Sequence, residues 1–236
     1  MDMKLQSILS YLLTENIGGL YEDVLEIANY PEGFDINQFK DLPSYAAKAR
    51  YLRSHGLDKL GAGSSRAAFI ADNDTVIKVA KNKKGLAQNR VEANISSDDF
   101  MPANAPLALV KDHDPDYVWI ESERARRAKP TDFQSIVGYP MKDVIKTVRE
   151  LVDNYKDKRQ PVASYWYLKD RELFDQLSET PFITDLVDII VNHDLEMGDI
   201  DRISSWGVVN RNGSQQLVLI DYGLDDQVWK QHYARR

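Results

Sequence analysis

The chain has 236 residues, enough for one large domain, or one domain with a smaller appendage, around a substantial hydrophobic core. Its formal net charge of −7 argues against nonspecific nucleic-acid binding, which depends on Lys and Arg to neutralise phosphates. The absence of cysteine excludes disulfides, cysteine zinc sites and a cysteine nucleophile. No apolar run is as long as a membrane span, and the polar N-terminus is unlike a signal peptide. We therefore expect a cytoplasmic protein without nucleic-acid or membrane partners.

The N-terminal part of the chain, residues 1–56, is predicted to be helical. Apolar residues recur at helical spacing in residues 5–12 and 20–28. A further helix is predicted over residues 44–55, because Ser44 follows a proline and Gly56 provides a stop.

The next region is predicted to be rich in strands. The stretch "LGAGSSRAAFIADNDTVIKVAKN" is typical of strand, Gly-rich turn, strand, tight turn and strand. "KKGLAQNRVEANI" then returns to helical spacing. Two more strands are predicted at residues 107–111 and 117–121.

From about Asp132 the pattern is mostly helical. "MKDVIKTVRELVDNY", "RELFDQL" and "TDLVDIIVNH" predict three helices, the last with Thr184 as its N-cap. Two short strands are predicted at residues 207–210 and 216–220, joined by "RNGS", a strong hairpin signal. Asp-Tyr-Gly follows the last strand directly.

The order of these elements over residues 57–225 resembles the protein-kinase-like fold, and the chain is also similar to small kinase-like proteins encoded by bacteriophages. Four motifs occur in the family's order: a Gly-x-Gly turn, a Lys-bearing strand, a Glu-bearing helix, and a hairpin before Asp-Tyr-Gly. The resemblance implies an α+β, two-lobed protein. A helical extension over 1–56 would precede a strand-rich N-lobe over 57–123 and a reduced helical C-lobe over 124–236.

Gly61, Gly63 and Ser64 lie where the family has its Gly-rich loop. Glycine allows the backbone to approach a triphosphate closely enough for its N–H groups to make contact. The third glycine of the family's pattern is replaced by Arg66, which is a departure from the motif.

Lys78 lies inside the apolar strand "TVIKVAK", where an ammonium group is costly to bury without an anion. The resemblance implies that Lys78 contacts the α and β phosphates of ATP and a helix carboxylate, which would be Glu92. Lys81 is the alternative, although strand alternation places it on the opposite face. Asn89 is one turn before Glu92 and is expected on the same helix face.

Glu121 ends the fifth predicted strand, and "ESE" resembles the hinge between the lobes of a kinase. There the backbone would hydrogen-bond the edge of an adenine. The basic run that follows, residues 124–129, is interpreted as a solvated face rather than a binding site.

Asp221 resembles the Mg²⁺-holding aspartate of the family's Asp-Phe-Gly motif, with Tyr222 in place of phenylalanine. The family has a second metal ligand upstream, an asparagine, and this sequence lacks it. Ser204 and Ser205 stand at that place, and Ser205 is the candidate ligand.

Gly198-Asp199-Ile200 is similar to the catalytic Gly-Asp-Leu of kinase-like small-molecule phosphotransferases, with Asp201 as the alternative catalytic aspartate. The resemblance implies a minimal phosphotransferase that uses ATP and Mg²⁺ to modify a protein or a small molecule. Eleven residues follow Asp225, so we expect no protein-substrate platform of the kind that protein kinases carry.

Two other functions stay open at this stage. In the first, the chain is a pseudokinase that binds nucleotide, or a host or phage protein, with little chemistry; the missing asparagine and the altered third glycine favour it. In the second, Lys78, Glu92 and Asp221 form only an internal salt-bridge network in a structural or interaction protein.

Overall fold

A computed structural model describes residues 30–99, 101–102, 104–156 and 171–234 of the chain. The helices predicted within residues 1–29 lie outside this part. Among the described helices, none is both long enough and apolar enough to cross a lipid bilayer.

The described residues form helices and antiparallel strands in the predicted order. The α-helices are α1 Ile36–Asp41, α2 Tyr45–Ser54, α3 Lys83–Ser96, α4 Pro130–Asp132, α5 Met141–Lys156, α6 Arg171–Ser178, α7 Pro181–Asn192, α8 Met197–Ile200 and α9 Asp226–His232. A π-helical turn at Phe133–Val137 continues α4, and a 3₁₀ turn at Ile203–Ser205 precedes β7. The strands are β1 Lys59–Ala62, β2 Arg66–Ile70, β3 Thr75–Ala80, β4 Val110–His113, β5 Trp119–Glu123, β6 Arg126–Arg127, β7 Trp206–Arg211 and β8 Ser214–Leu219.

A five-stranded sheet in the order β1-β2-β3-β5-β4 forms the first lobe. Its neighbouring strands are antiparallel, and the register places Lys78 opposite Ala68 on one side and Ile120 on the other. The opposite face is apolar: Phe69 and Ile77 are buried there in a core shared with residues of α1 and α2. The sheet therefore has one face in a hydrophobic core and one face that carries Lys78.

Helix α2 begins and ends where the sequence predicts. Ser44 is its N-cap and accepts a hydrogen bond from the backbone N–H of Ala47 at 3.2 Å. Gly56 has a φ of 77°, a left-handed conformation that glycine adopts at little cost. Lys48 is buried in this helix and donates to the carbonyls of Phe39 and Lys40 at the end of α1.

The second lobe packs α5, α6 and α7 around a separate core with a three-stranded sheet, β6-β7-β8. Trp206 is fully buried there and donates its indole N–H to the carbonyl of Ile200 at 2.8 Å. Val91 and Ile95 of α3 also belong to this core. Helix α3 therefore links the two lobes, and the predicted α+β, two-lobed class is confirmed.

The predicted start of the fourth strand is wrong by a few residues. Leu107 does not join β4; it forms an isolated parallel bridge with Leu219 of β8. Ala108 donates its backbone N–H to the carbonyl of Leu219 at 2.8 Å. Because this segment pairs with β8 of the second lobe, β4 begins only at Val110. The local sequence contains no signal from which a partner as distant as Leu219 could be predicted.

Thr184 is not an N-cap. Helix α7 starts at Pro181 with Thr180 as its cap. Proline suits the first helical position because its missing N–H would have no partner there and its φ is already helical. The hairpin turn at Asn212-Gly213 is confirmed, since both residues have positive φ, 53° and 77°.

We expect Gly85→Ala to lower the free energy of unfolding by about 1–3 kcal/mol, the usual cost of overpacking. A β-carbon at Gly85 would lie 2.2 Å from the carbonyl oxygen of Ser65 and 3.1 Å from the α-carbon of Ala80, and backbone atoms of this kind cannot easily move aside. Chemical denaturation of the two proteins measures the difference.

The matched control is Gly61→Ala, because a β-carbon there meets nothing within 4 Å. The free energy of unfolding of this variant should stay within about 0.5 kcal/mol of the wild type. Equal stabilities for the two variants would contradict the close approach of α3 to the β1–β2 turn.

Candidate functional site

A cavity of about 640 Å³ opens between the two lobes. It lies among the β1–β2 turn, strand β3, residues 124–127 and the end of β8. This volume lies within the usual range of small-molecule sites. The described residues that line it are Leu60, Gly61, Ala62, Gly63, Arg66, Ala67, Ala68, Asn73, Lys78, Arg124, Ala125, Arg126, Arg127, Ser204, Ile220 and Asp221.

The cavity is cationic although the chain has a net charge of −7. The described residues that line it include one carboxylate, that of Asp221, and the five cations Arg66, Lys78, Arg124, Arg126 and Arg127. Two further carboxylates pair with these cations: Glu92 is shared by Lys78 and Arg66, and Asp132 pairs with Arg126. The net formal charge of these groups is +2. Clefts lined by one sign of charge attract ligands of the opposite sign. The cavity is therefore suited to an anion. The basic run at residues 124–129, interpreted above as a solvated face only, contributes three of these side chains.

Lys78 of β3 and Glu92 of α3 form a buried ion pair. Lys78 Nζ lies 2.6 Å from Glu92 Oε2, and Glu92 is fully buried. Lys78 Nζ also donates to the carbonyl of Ile220 at 2.9 Å, at the end of β8. Lys81 lies elsewhere: its ammonium is exposed and donates to the carbonyl of Gly63 at 2.6 Å. The structure thus brings Lys78, not Lys81, to Glu92.

Arg66 makes a second ion pair with Glu92 and connects it to Asp221. The register pairs Arg66 with Ala80, which places the arginine on the same sheet face as Lys78. Its Nη2 lies 2.7 Å from Glu92 Oε1 and 2.5 Å from Asp221 Oδ1. This guanidinium is the ion-pair partner of Glu92 Oε1, the carboxylate oxygen that Lys78 does not contact.

The two cations fix the ionisation of Glu92. Burial alone would raise the pKa of this carboxyl, but the charges of Arg66 and Lys78 outweigh burial and lower the pKa below its ordinary value. Asn89, fully buried one turn earlier, accepts from Arg66 Nη1 at 3.3 Å and donates to the carbonyl of Tyr117 at 2.8 Å. The expectation that Asn89 points inward is confirmed.

Each residue of Asp-Tyr-Gly has a separate structural role. Asp221 lines the cavity. Tyr222 is buried, and its hydroxyl donates to the carbonyl of Ala108 at 2.8 Å and lies 2.9 Å from Ser96 Oγ of α3. A β-carbon at Gly223 would lie 2.6 Å from the carbonyl oxygen of Gln88. Tyr222 and Gly223 therefore hold Asp221 close to α3.

Asp199 is close enough to the cavity to interact with its charges. Burial raises the pKa of Asp199, and the negative charge of Asp221 raises it further, against smaller opposite effects of Arg202 and Arg66. The alternative, Asp201, forms an ion pair with Arg149 of α5. Of the two candidates, Asp199 is the one that interacts electrostatically with Asp221.

Five of the predicted site residues are not among those that line the cavity: Glu92 and Asp199, described above, and Ser205, Ser64 and Glu121. Ser205 is buried, and its neighbour Ser204 lines the cavity instead. Ser64 is exposed, and its carbonyl accepts from Asn82 Nδ2 at 3.1 Å. The side chain of Glu121 lies on the sheet face opposite Lys78, since it pairs in register with Ile77. The roles of these residues stay predictions.

Glu121 has its own partner on that face. The hydroxyl of Tyr30 donates to Glu121 Oε2 in a short hydrogen bond. Burial raises the pKa of Glu121, and hydrogen bonds from Tyr30 and Thr75 oppose this. The segment that follows β5, residues 124–127, lines the cavity, whereas residues 121–123, where the hinge is predicted, do not.

The glycines of the β1–β2 turn are not required by the packing of the protein itself. A β-carbon at Gly61 or Gly63 would meet nothing within 4 Å in the described structure, and neither residue has a positive φ. Both nevertheless line the cavity. Glycine at these positions leaves the backbone open to close approach by a molecule in the cavity.

Comparison with known proteins gives distant structural likenesses only. No protein-family model matches the chain, and no curated protein matches it. Among solved structures, the streptomycin–ATP ternary complex of APH(2")-IIa aligns with a TM-score of 0.34 and 12% identity, over 77% of this chain and 71% of that one. The GDP complex of wild-type aminoglycoside 2'-phosphotransferase-IIIa gives 0.33 and 15%, over 80% and 70%.

A choline/ethanolamine kinase family protein from Mesorhizobium loti gives a TM-score of 0.31 and 12% identity, over 78% of this chain and 62% of that one. Likenesses with such low TM-scores do not decide function.

The carboxylate of Asp221 fits a cation that is shared with a ligand, because this side chain lines the cavity and is 52% exposed. Among the described residues, however, no group of three or more histidine or carboxylate side chains is placed to hold a metal ion. Mg²⁺ commonly binds through one or two carboxylates plus phosphate oxygens. The carboxylate at the cavity therefore fits Mg²⁺ that is bound jointly by protein and phosphate oxygens better than a metal ion bound by protein ligands alone.

We expect Glu92→Gln to lower the free energy of unfolding by about 3–5 kcal/mol, the usual cost of breaking a buried ion pair by removing one partner. The substitution leaves the buried cations Lys78 and Arg66 without the carboxylate that both contact. Urea denaturation measures the loss. Glu179→Gln, at an exposed position, is the matched control and should be neutral. Equal stability of both variants would contradict the central role of Glu92.

The same ion pairs predict a direction for the pH dependence of stability. The pKa of Glu92 is lower in the folded protein than in the unfolded chain. Its contribution is therefore fully present above the unfolded value of about 4.3 and is lost as the pH falls through the folded value. Denaturation between pH 7 and pH 3 should show wild type and Glu92→Gln converging as the pH falls. Parallel curves would argue against an ionised Glu92.

Proposed function

We propose that this chain binds ATP with Mg²⁺ in the cavity between its lobes and transfers a phosphoryl group to a hydroxyl acceptor. One observation supports the proposal above the others: an acidic chain assembles a cationic cavity around the buried Lys78–Glu92 pair, with the carboxylate of Asp221 at its edge. A polyphosphate supplies the negative charge that such a cavity favours. A triphosphate also fits the open backbone at Gly61 and Gly63.

In the proposed complex, the phosphates contact Lys78 and the backbone N–H groups of the β1–β2 turn. Glu92 keeps the ammonium of Lys78 in place. Asp221 would hold Mg²⁺ together with the phosphate oxygens. When bound, Mg²⁺ supplies positive charge that offsets the negative charge on the transferring group. Positioning and charge stabilisation of this kind provide most of the catalysis in phosphoryl transfer.

Asp199 is the proposed general base. A bond forms between the acceptor oxygen and the γ-phosphorus, the bond between that phosphorus and the bridging oxygen of ATP breaks, and ADP leaves with the electron pair. The acceptor's proton passes to the carboxylate of Asp199. Burial and the neighbouring charge of Asp221 raise the pKa of Asp199, which makes the carboxylate a stronger base near neutral pH.

A second candidate function is a nucleotide-binding pseudokinase. The observation that favours it is the ion pair between Arg66 and Asp221, which occupies a carboxylate oxygen that a metal ion would need. The family's second metal ligand, the asparagine, is also missing from the sequence. Both functions require nucleotide binding, and they differ in turnover.

Nucleotide binding is tested by thermal unfolding with and without ATP and Mg²⁺. A ligand that binds only the folded state stabilises it by about 2.7 kcal/mol at 100 times its dissociation constant. We expect the melting temperature of the wild type to rise, and the rise to shrink in Lys78→Ala after correction for that variant's own stability. Lys59→Ala, an exposed lysine outside the cavity, is the control and should respond like the wild type. No rise at millimolar ATP would overturn the proposal.

Turnover separates the two candidate functions. If Asp199 is the base, Asp199→Asn should reduce the rate of ATP consumption roughly a hundredfold to ten-thousandfold while nucleotide binding is retained. Asp201→Asn is the matched control, since Asp201 faces Arg149 and should leave the rate unchanged. Binding without any turnover in the wild type would favour the pseudokinase.

A further inference from the structure

Arg66 occupies an unusual place for a cation. It stands at the end of the β1–β2 turn, where the resemblance implies a third glycine. Its side chain is 10% exposed and lines the cavity beside Lys78. Four charged groups are therefore in contact with one another beside the cavity, the cations Arg66 and Lys78 and the anions Glu92 and Asp221.

The formal charge of these four groups is zero. Lys78 and Glu92 alone would neutralise each other and leave the carboxylate of Asp221 to attract a metal ion. Arg66 neutralises Asp221 as well, through the contact of 2.5 Å. A divalent cation without nucleotide therefore meets a neutral cluster and must displace a charge-assisted hydrogen bond to reach Asp221 Oδ1.

The two partners of this hydrogen bond are held very differently. Arg66 is buried and is also in contact with Glu92 and Asn89, both fully buried. The side chain of Asp221 is 52% exposed, and among the described residues Arg66 is its one ion-pair partner. When the pair breaks, Asp221 is free to turn toward the cavity while the guanidinium stays on the cavity wall.

We propose that Arg66 is a built-in counter-cation of Asp221 and a second phosphate-binding residue beside Lys78. This inference rests on the proposed nucleotide function and specifies how the same site is regulated. The anionic phosphates of the nucleotide compete with Asp221 for the guanidinium, so nucleotide binds without a divalent cation. The freed carboxylate then accepts Mg²⁺, and metal binding follows nucleotide binding.

The test is isothermal titration of ATP into the full chain in EDTA and in Mg²⁺. The wild type should bind ATP in EDTA, and Arg66→Gly, which restores the third glycine, should weaken that binding roughly tenfold to hundredfold, the equivalent of one charged hydrogen bond. Lys59→Ala removes one positive charge outside the cavity and is the matched control. Circular dichroism first shows that each variant is folded. If Arg66→Gly does not fold, Arg66→Lys replaces it in the titration, because lysine keeps the positive charge but lacks the planar guanidinium.

A double-mutant cycle distinguishes competition from simple repulsion. Asp221→Asn should tighten ATP binding in EDTA, because it releases Arg66 and removes a negative charge. If Arg66 carries the effect, the gain should be at least about threefold smaller in the Arg66→Gly background than in the wild type. An equal gain in both backgrounds would mean that Asp221 only repels phosphate, and it would overturn the inference.

Mn²⁺ alone provides a readout without nucleotide. Electron paramagnetic resonance should show weaker Mn²⁺ binding to the wild type than to Arg66→Gly. Adding Asp221→Asn to Arg66→Gly should abolish this increase in Mn²⁺ affinity. ATP binding that requires Mg²⁺ in the wild type and is unchanged in Arg66→Gly would overturn this inference but leave the proposed function intact. No ATP binding in either buffer would overturn both.

Discussion

The buried carboxylate of Glu92 is the interaction on which the cleft depends. It has no exposed surface, so both of its oxygens must be compensated by protein groups. One oxygen contacts Lys78 of β3 and the other contacts Arg66 of β2. Through this one side chain, α3 is fixed to two adjacent strands, and through Arg66 it is tied to Asp221 at the end of β8. The geometry of the candidate site is thus a consequence of neutralising one charge away from water.

Local signals explain why much of the fold could be predicted. The β2–β3 and β7–β8 hairpins follow from turn residues between apolar runs, and α3 follows from helical spacing. A partner for Lys78 could also be anticipated, because a lysine within a fully buried strand requires an anion nearby. The resemblance to the kinase-like family alone pointed to Glu92 as that anion. These features depend on residues close in sequence, or on a charge whose burial is evident from its neighbours.

The other features of the candidate site depend on contacts between residues far apart in the sequence, which local sequence patterns do not predict. Arg66 and Asp221 are separated by 155 positions, and in the sequence Arg66 stands out only as the replacement of a glycine. The arginines at residues 124–127 belong to a run of like charges, and such a run is usually solvated. One signal in the sequence points to the position of Arg66. It directly precedes the apolar run "AAFI" and so begins a strand, and its pairing with Ala80 puts it on the same sheet face as Lys78. Two cations on that face then lie beside one glutamate.

The second cation, Arg66, changes the conditions under which Asp221 can bind a metal ion. Where a lysine and glutamate neutralise each other, an aspartate at the cavity edge attracts a metal ion without hindrance. Here Arg66 already neutralises Asp221, so metal binding costs one charge-assisted hydrogen bond unless another anion takes the guanidinium. In the proposed complex, a triphosphate provides that anion, and its own charge then attracts the metal. Nucleotide binding itself would therefore exchange the partner of Arg66, from Asp221 to the phosphates, and phosphoryl transfer would in addition need the metal ion that the freed Asp221 holds.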